Sequence, residues 1–338
     1  MVLPQPLAAL APVFAAPMAG GPSSTELVVN ASRAGHFAQL AAGYKTPAAM
    51  SAEIGEVRAA GVEVFGVNLF VPNGVAISEA EYRAYAERLA PTAREMGVEL
   101  PGLQEDDDHW EAKLDALLAD PVTLVSFTFG LPEADPIRRL RAAGSFTLQT
   151  VTSVTEAVAA EEAGVDGLAV QGFAAGGHSG IWDGHSLPSD LPLPDLVRSV
   201  RAVTALPVVA AGGLSRPEHV GELLAAGADA VSVGTALLRT DESGASQTHR
   251  DALADPAFDH TVLTRAFTGR PARALANDFT REFDNAPAGY PALHHLTRGI
   301  RAASASAGDA SRVHLWAGQG WREVRSGPVA EALAALLP

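Results

Sequence analysis

Short apolar runs alternate with amphipathic stretches along the first two thirds of the chain, and this alternation predicts strand followed by helix, repeated. Residues 12–18, 37–42, 62–70, 122–127, 146–151, 165–170, 207–211 and 229–233 are the predicted strands. They are largely continuous Val, Ala and Leu runs rather than alternating ones, as expected of strands buried on both faces. Helical stretches begin near Ser24 and cover 48–60, 77–96, 110–118, 136–143, 155–163 and 195–203. Pro91 is expected to kink or break the third of these. Another helix starts at Ser215, where Ser215-Arg216-Pro217-Glu218 has the spacing of a capping box, and stops at Gly227.

Eight strands, each about 20–30 residues after the last, favour a (β/α)8 TIM barrel over an open doubly wound sheet. Past Thr235 the pattern changes. Residues 236–320 carry aromatics, prolines and paired histidines with no clear strand, and are predicted to form an α-rich appendage over the catalytic face. Residues 328–337 read as a helix with Pro328 in its first turn, returning to the barrel wall. The expected organisation is a barrel over 1–235, a smaller cap over 236–320 and a C-terminal helical segment over 321–338.

Composition narrows the chemistry. At 338 residues, 47% hydrophobic and 19% charged, the chain is long enough for a barrel of about 250 residues plus an appendage. No uninterrupted apolar run is long enough for a membrane span, and Met1-Val2-Leu3-Pro4 lacks the basic start of a secretory signal, so the cytoplasm is expected. A net charge of −15 with no basic run argues against nucleic acid as a partner. Without cysteine there is no thiolate nucleophile and no disulfide. Lys45 and Lys113 are the only lysines, in a loop and a charged helix, which restricts Schiff-base chemistry; a P-loop is absent. The acidic run 105–108 reads as a solvated helix start, and no metal site is assigned.

Chemistry converges on one face. Barrel enzymes place their sites at the carboxyl ends of the strands and often hold phosphate after strands seven and eight. Gly212-Gly213 follows the seventh strand and Gly234-Thr235 the eighth. The run Gln171-Gly172-Phe173-Ala174-Ala175-Gly176-Gly177-His178-Ser179-Gly180 follows the sixth. Alone, a glycine pair beside a histidine is most often a surface loop; at this position His178 faces the phosphate turns. Asn68, at the end of the third strand, and Gln171 offer amides to the edge of a flat polar ring. A ring with a phosphate tail, such as FMN, suits the arrangement.

With these residues located, the chain resembles the nitronate monooxygenase family, formerly called 2-nitropropane dioxygenases. The resemblance rests on Ala16-Pro17-Met18-Ala19-Gly20-Gly21, on Phe65-Gly66-Val67-Asn68-Leu69-Phe70, on the run through His178 and Gly180, on Ala210-Ala211-Gly212-Gly213 and on Val233-Gly234-Thr235. Gly269-Arg270-Pro271-Ala272-Arg273 and Leu315-Trp316-Ala317-Gly318-Gln319-Gly320 match the bacterial class I branch. It implies an FMN enzyme in which Met18, Asn68, Gln171, Gly176, Gly213, Ser232, Val233, Gly234 and Thr235 contact the flavin. His178 matches the catalytic histidine, which abstracts the α-proton of a nitroalkane or orients a nitronate, as imidazolium where the substrate is anionic. One electron passes from nitronate to FMN, and O2 completes conversion to a carbonyl compound and nitrite without nicotinamide. The protein is expected to act as monomer or homodimer. Phe173 and His36 depart from the family pattern, and substrate selection is expected at Phe173 and in the loop 181–194. The alternatives are an NAD(P)H-dependent flavin enoyl-thioester reductase, which shares the A-G-G-H motif, a flavin-binding protein without turnover, and a phosphate-sugar barrel lacking flavin.

Overall fold

The computed structural model describes residues 3–338. Its centre is a closed parallel barrel of β1 (Ala11–Ala15), β2 (His36–Ala41), β3 (Gly66–Phe70), β4 (Leu124–Thr128), β5 (Phe146–Val151), β6 (Gly167–Gln171) and, past the two-residue strand β7 (Gly177–His178), β8 (Val208–Ala211) and β9 (Ala230–Val233). Pairing of β1 with β9 closes the ring. Helices α1 (Thr25–Arg33) and α2 (Pro47–Ala59) follow the first two strands, and α3 (Glu79–Glu95) and α4 (Trp110–Ala119) both lie between β3 and β4. The wall continues with α5 (Ala134–Ala142), α6 (Val154–Glu162), α7 (Leu193–Arg201) and α8 (Pro217–Ala225). Among the described residues no helix is long and apolar enough to cross a membrane.

The period-two rule for strands explains both the core and the opening above it. Outward side chains such as Val67, Leu69, Val125, Phe127, Leu168 and Val170 are buried against the helices. Inward side chains change character along each strand. Near the amino ends, Phe14, Phe37, Leu124, Leu148, Val209 and Ala230 pack together with Leu3 and Leu7 and plug the barrel. One or two inward steps later stand Gln39, Asn68, Ser126, Thr128, Thr150, Gln171 and Ser232. Polar groups cannot fill a dry core unpaired, so the carboxyl end of the barrel stays open.

After β9 the chain forms α9 (Gln247–Ala252), β10 (Thr261–Thr264), β11 (Ala272–Leu275), α10 (Asp278–Glu282), α11 (Ala292–Ser306) and α12 (Val329–Ala334). Here the structure departs from the sequence expectation of an appendage without strands. The strands β10 and β11 are antiparallel, and β11 continues onto β7, so that Ala272 lies opposite His178. Four-residue strands, one with Arg273 inside it, carry too little pattern to be read. A separate core joins α3 to this region, with Tyr82, Tyr85 and Leu89 packed among Phe267, Phe279, Phe283, Leu293 and Leu296. Helix α4 instead takes the barrel position, packing between α2 and α5. Helix α12 packs on α1 and β1, its Val329 and Leu333 buried in the barrel-wall core.

Three local expectations are corrected. Helix α3 runs unbroken through Pro91, and its capping box is made by Ser78 and Glu81. Pro217 occupies the first helical position of α8, which makes Arg216 the N-cap and leaves Ser215 one residue too early to cap. Pro328 is likewise an N-cap residue in extended conformation, with the helix starting at Val329. The acidic run also does more than face solvent, since Asp108 accepts from the Tyr44 N–H at 2.8 Å and pairs at 2.7 Å with Lys113, which is 1% exposed.

Candidate active site

The polar inward layer floors a cavity of about 660 Å³, within the range of roughly 300–1,000 Å³ typical of ligand sites. Met18, Asn68, Gln171, Gly176, His178, Gly213, Ser232, Val233, Gly234 and Thr235 all line it. The barrel thus gathers residues from five loops and strand ends that are far apart in sequence. Phe173, by contrast, lies outside, its ring 4.4 Å beneath the Arg273 guanidinium. No residue of 181–194 lines the cavity either. His36 is buried in β2, where its Nδ1 meets the Val13 carbonyl at 2.8 Å. Above the barrel, the cavity is lined from α9, α11 and the 313–320 segment.

Hydrogen bonding fixes the floor. Ser126 donates to Gln39 Oε1 at 2.7 Å, so its oxygen accepts from Asn68 Nδ2 at 2.9 Å. Asn68 Nδ2 also donates to Thr128 Oγ1 at 3.1 Å. These contacts leave Asn68 Oδ1 as the amide's acceptor for a ligand. Gln171 is spent mainly on its own loop, accepting from the Gly180 N–H at 2.7 Å and donating to the His178 carbonyl at 3.3 Å. Its amide therefore aims His178 as much as it faces the cavity.

His178 stands on β7 with its ring boxed by Phe129, Tyr290 and Trp316 at centroid distances of 5.5, 5.8 and 5.3 Å. Its Nε2 lies 2.9 Å from Thr268 Oγ1. Burial pushes its pKa down to about 3, with the charges of Arg270 and Arg301 acting in the same direction. Burial thus favours the neutral imidazole, which carries a lone pair able to take a proton. Phe129 is held at φ 81, a strained angle for a residue with a side chain, while its carbonyl accepts from Asn73 Nδ2 and Arg270 Nη2.

Charge over the cavity is one-sided. Lys45, Arg298 and Arg301 line it, and no Asp or Glu does. Lys45 is neutralised by Glu53 at 2.6 Å, whereas among the described residues Arg301, 6% exposed, bonds to Thr297 and His294 and to no carboxylate. In a chain of net charge −15 such a lining selects for anions. No cluster of His, Asp and Glu suited to a metal occurs among the described residues.

Comparison with known proteins agrees with this geometry. The nitronate monooxygenase family model matches residues 5–338. The chain belongs to the nitronate monooxygenase family. It is 34% identical over 324 residues to a probable nitronate monooxygenase of Staphylococcus aureus strain Newman, covering 94% of this chain and 90% of that protein. Among solved structures, the nitroalkane oxidase of Streptomyces ansochromogenes superposes with a TM-score of 0.91 at 46% identity, over 96% of this chain and 94% of that one. FabK of Thermotoga maritima shares the fold at 23% identity and a TM-score of 0.71, over 96% and 91% of the two chains. This member of the nitronate monooxygenase family is accordingly an enzyme.

Several residues of the site carry no motif readable from sequence. Tyr44 from the loop after β2 and His294, Arg298 and Arg301 from α11 line the cavity, while Thr268 from the turn before β11 and Tyr290 from the segment before α11 touch His178. The i, i+4, i+7 spacing of His294, Arg298 and Arg301 puts them on one helical face, which was the available signal.

Buried histidines give this enzyme a testable acid sensitivity. His249, 7% exposed with Nε2 at 3.0 Å from the Trp316 carbonyl, has its pKa lowered to about 4 by burial. His294 and His314 are pushed well below 6.5 by the same cause. Neutral imidazole is favoured in the folded state, so this stability is complete above pH 6.5 and is lost as pH falls toward 4. Between pH 7 and pH 5, His249 alone is expected to cost about 2 kcal/mol of unfolding free energy. Denaturant titrations at the two pH values, with His249→Gln as comparison, measure it; a variant that loses as much as wild type would contradict the assignment.

Proposed function

We propose that this enzyme carries out FMN-dependent oxidative denitrification of alkyl nitronates, and of nitroalkanes where it accepts them, with O2, giving a carbonyl compound and nitrite. The observation that carries the reading is His178 facing a cavity that Arg298 and Arg301 line and no carboxylate does. Oxidation of nitro compounds is also what the name of the Streptomyces relative describes.

The residues present fit FMN. Gly213, at φ +75, and Gly234, where an added Cβ would meet Met18 Sδ at 3.3 Å, both line the cavity just past the carboxyl ends of β8 and β9, the place where a barrel's backbone N–H groups can approach a phosphate. Asn68 Oδ1 faces the cavity as acceptor for a ring N–H. FMN bound there would accept an electron from the nitronate, with O2 as the final oxidant. The protein's own work is to hold an anion near Arg301 and Arg298, to exclude water with Phe129, Tyr290 and Trp316, and to take the α-proton on His178.

Absorption and product tell the readings apart. A purified protein with flavin absorption that releases nitrite from propyl nitronate without NAD(P)H is the expected result. Flavin absorption with NAD(P)H-dependent reduction of an enoyl thioester and no nitrite would replace the proposal by the reductase reading, for which FabK supplies likeness of fold alone.

A further inference from the structure

The two nitrogens of His178 have different surroundings. Nε2 is 2.9 Å from Thr268 Oγ1, whereas Nδ1 has no hydrogen-bond partner among the described residues and is not sealed from the cavity that His178 lines. Thr268 is 1% exposed and fixed by a turn in which its own N–H and that of Gly269 donate to the Arg265 carbonyl at 3.2 and 2.8 Å. Its position relative to His178 is set by backbone. Ala272 pairs with His178 across β11 and β7, and the Ser179 N–H donates to the Pro271 carbonyl at 2.8 Å.

A threonine hydroxyl has one proton and two lone pairs. Thr268 Oγ1 has three neighbours: His178 Nε2, the Arg270 N–H and the Arg270 carbonyl, the last two at 3.4 Å. When the hydroxyl donates to the Arg270 carbonyl, it accepts from the Arg270 N–H and from Nε2–H, and every contact is satisfied. When it donates to Nε2 instead, the carbonyl of a residue that is 0% exposed loses that donor. We propose that Thr268 is a positioning residue that holds His178 as the Nε2–H tautomer, making Nδ1 the atom that takes the substrate proton. The catalytic consequence rests on the base role proposed above; the tautomer does not.

The test is 15N NMR of the protein as purified, labelled at histidine, with His178 resonances assigned by their disappearance in His178→Asn. Wild type and Thr268→Ser are expected to show an unprotonated Nδ1 and a protonated Nε2. In Thr268→Val the preference is expected to be lost or reversed, with turnover of a neutral nitroalkane reduced on the order of tenfold and that of a preformed nitronate nearly unchanged. A protonated Nδ1 in wild type, or an unaltered tautomer in Thr268→Val, overturns the proposal. If the valine variant does not fold, the wild-type spectrum decides by itself. The expected tautomers in a protein that releases no nitrite would sink the functional reading and leave the positioning role standing.

Discussion

Replacing His178 by asparagine is expected to slow turnover of a neutral nitroalkane by roughly 10²–10⁴-fold, the usual contribution of a positioned general base. Asparagine keeps a polar group in the aromatic box but loses the basic nitrogen, together with the ring and its contact to Thr268. The loss with a preformed nitronate should be much smaller, because its α-proton is already gone and the anion is held by Arg301 and Arg298. Flavin absorption per protein should be unchanged, since the cofactor contacts assigned to Asn68, Gly213 and the end of β9 are elsewhere. Steady-state nitrite release with a nitroalkane and with its separately prepared anion measures both losses. Equal losses would show that His178 binds or orients and does not take the proton.

What could be read from the chain follows from how much of its neighbourhood each residue carries with it. A barrel strand declares itself because it is a continuous apolar run flanked by glycine turns, and its carboxyl end then names the face on which Asn68, Gln171, Gly213 and Gly234 must lie. Thr268 had no such frame. It is a lone hydroxyl in a turn, and only the pairing of β11 with β7 puts it against His178. The same holds for Arg301, one of many arginines until α11 aims it at the cavity. Phe173 erred in the opposite sense: its place in the motif pointed to the pocket, but the loop turns its ring back onto Arg273. The enclosure of the His178 ring was also invisible, being made by Phe129, Tyr290 and Trp316 from three distant segments.

Gly176 shows how a residue found through one argument is held by another. Its sequence position marks it as a place of close approach to a ligand, and it does line the cavity. A Cβ there, however, would lie 2.4 Å from the Gly318 N, 2.7 Å from the Ala317 carbonyl carbon and 2.9 Å from Thr235 Oγ1. Two of these atoms are backbone and cannot swing away, and Thr235 Oγ1 already accepts from the Gly318 N–H at 3.0 Å. Gly176→Ala must therefore move the 316–320 segment, the end of β9 or the His178 loop itself. Overpacking of this kind costs about 1–3 kcal/mol, and here the strain falls on three walls of the proposed flavin site. Flavin content on purification and the thermal midpoint are both expected to drop, with FMN affinity at least tenfold weaker for every ~1.4 kcal/mol of strain that binding must oppose. Gly55→Ala is the control. Gly55 is exposed within α2 with no atom within 4 Å of an added Cβ, so alanine should stabilise the helix by roughly 0.5–1 kcal/mol and leave flavin content alone. Wild-type flavin retention in Gly176→Ala would mean that the 316–320 segment yields easily and does not brace the loop that carries His178.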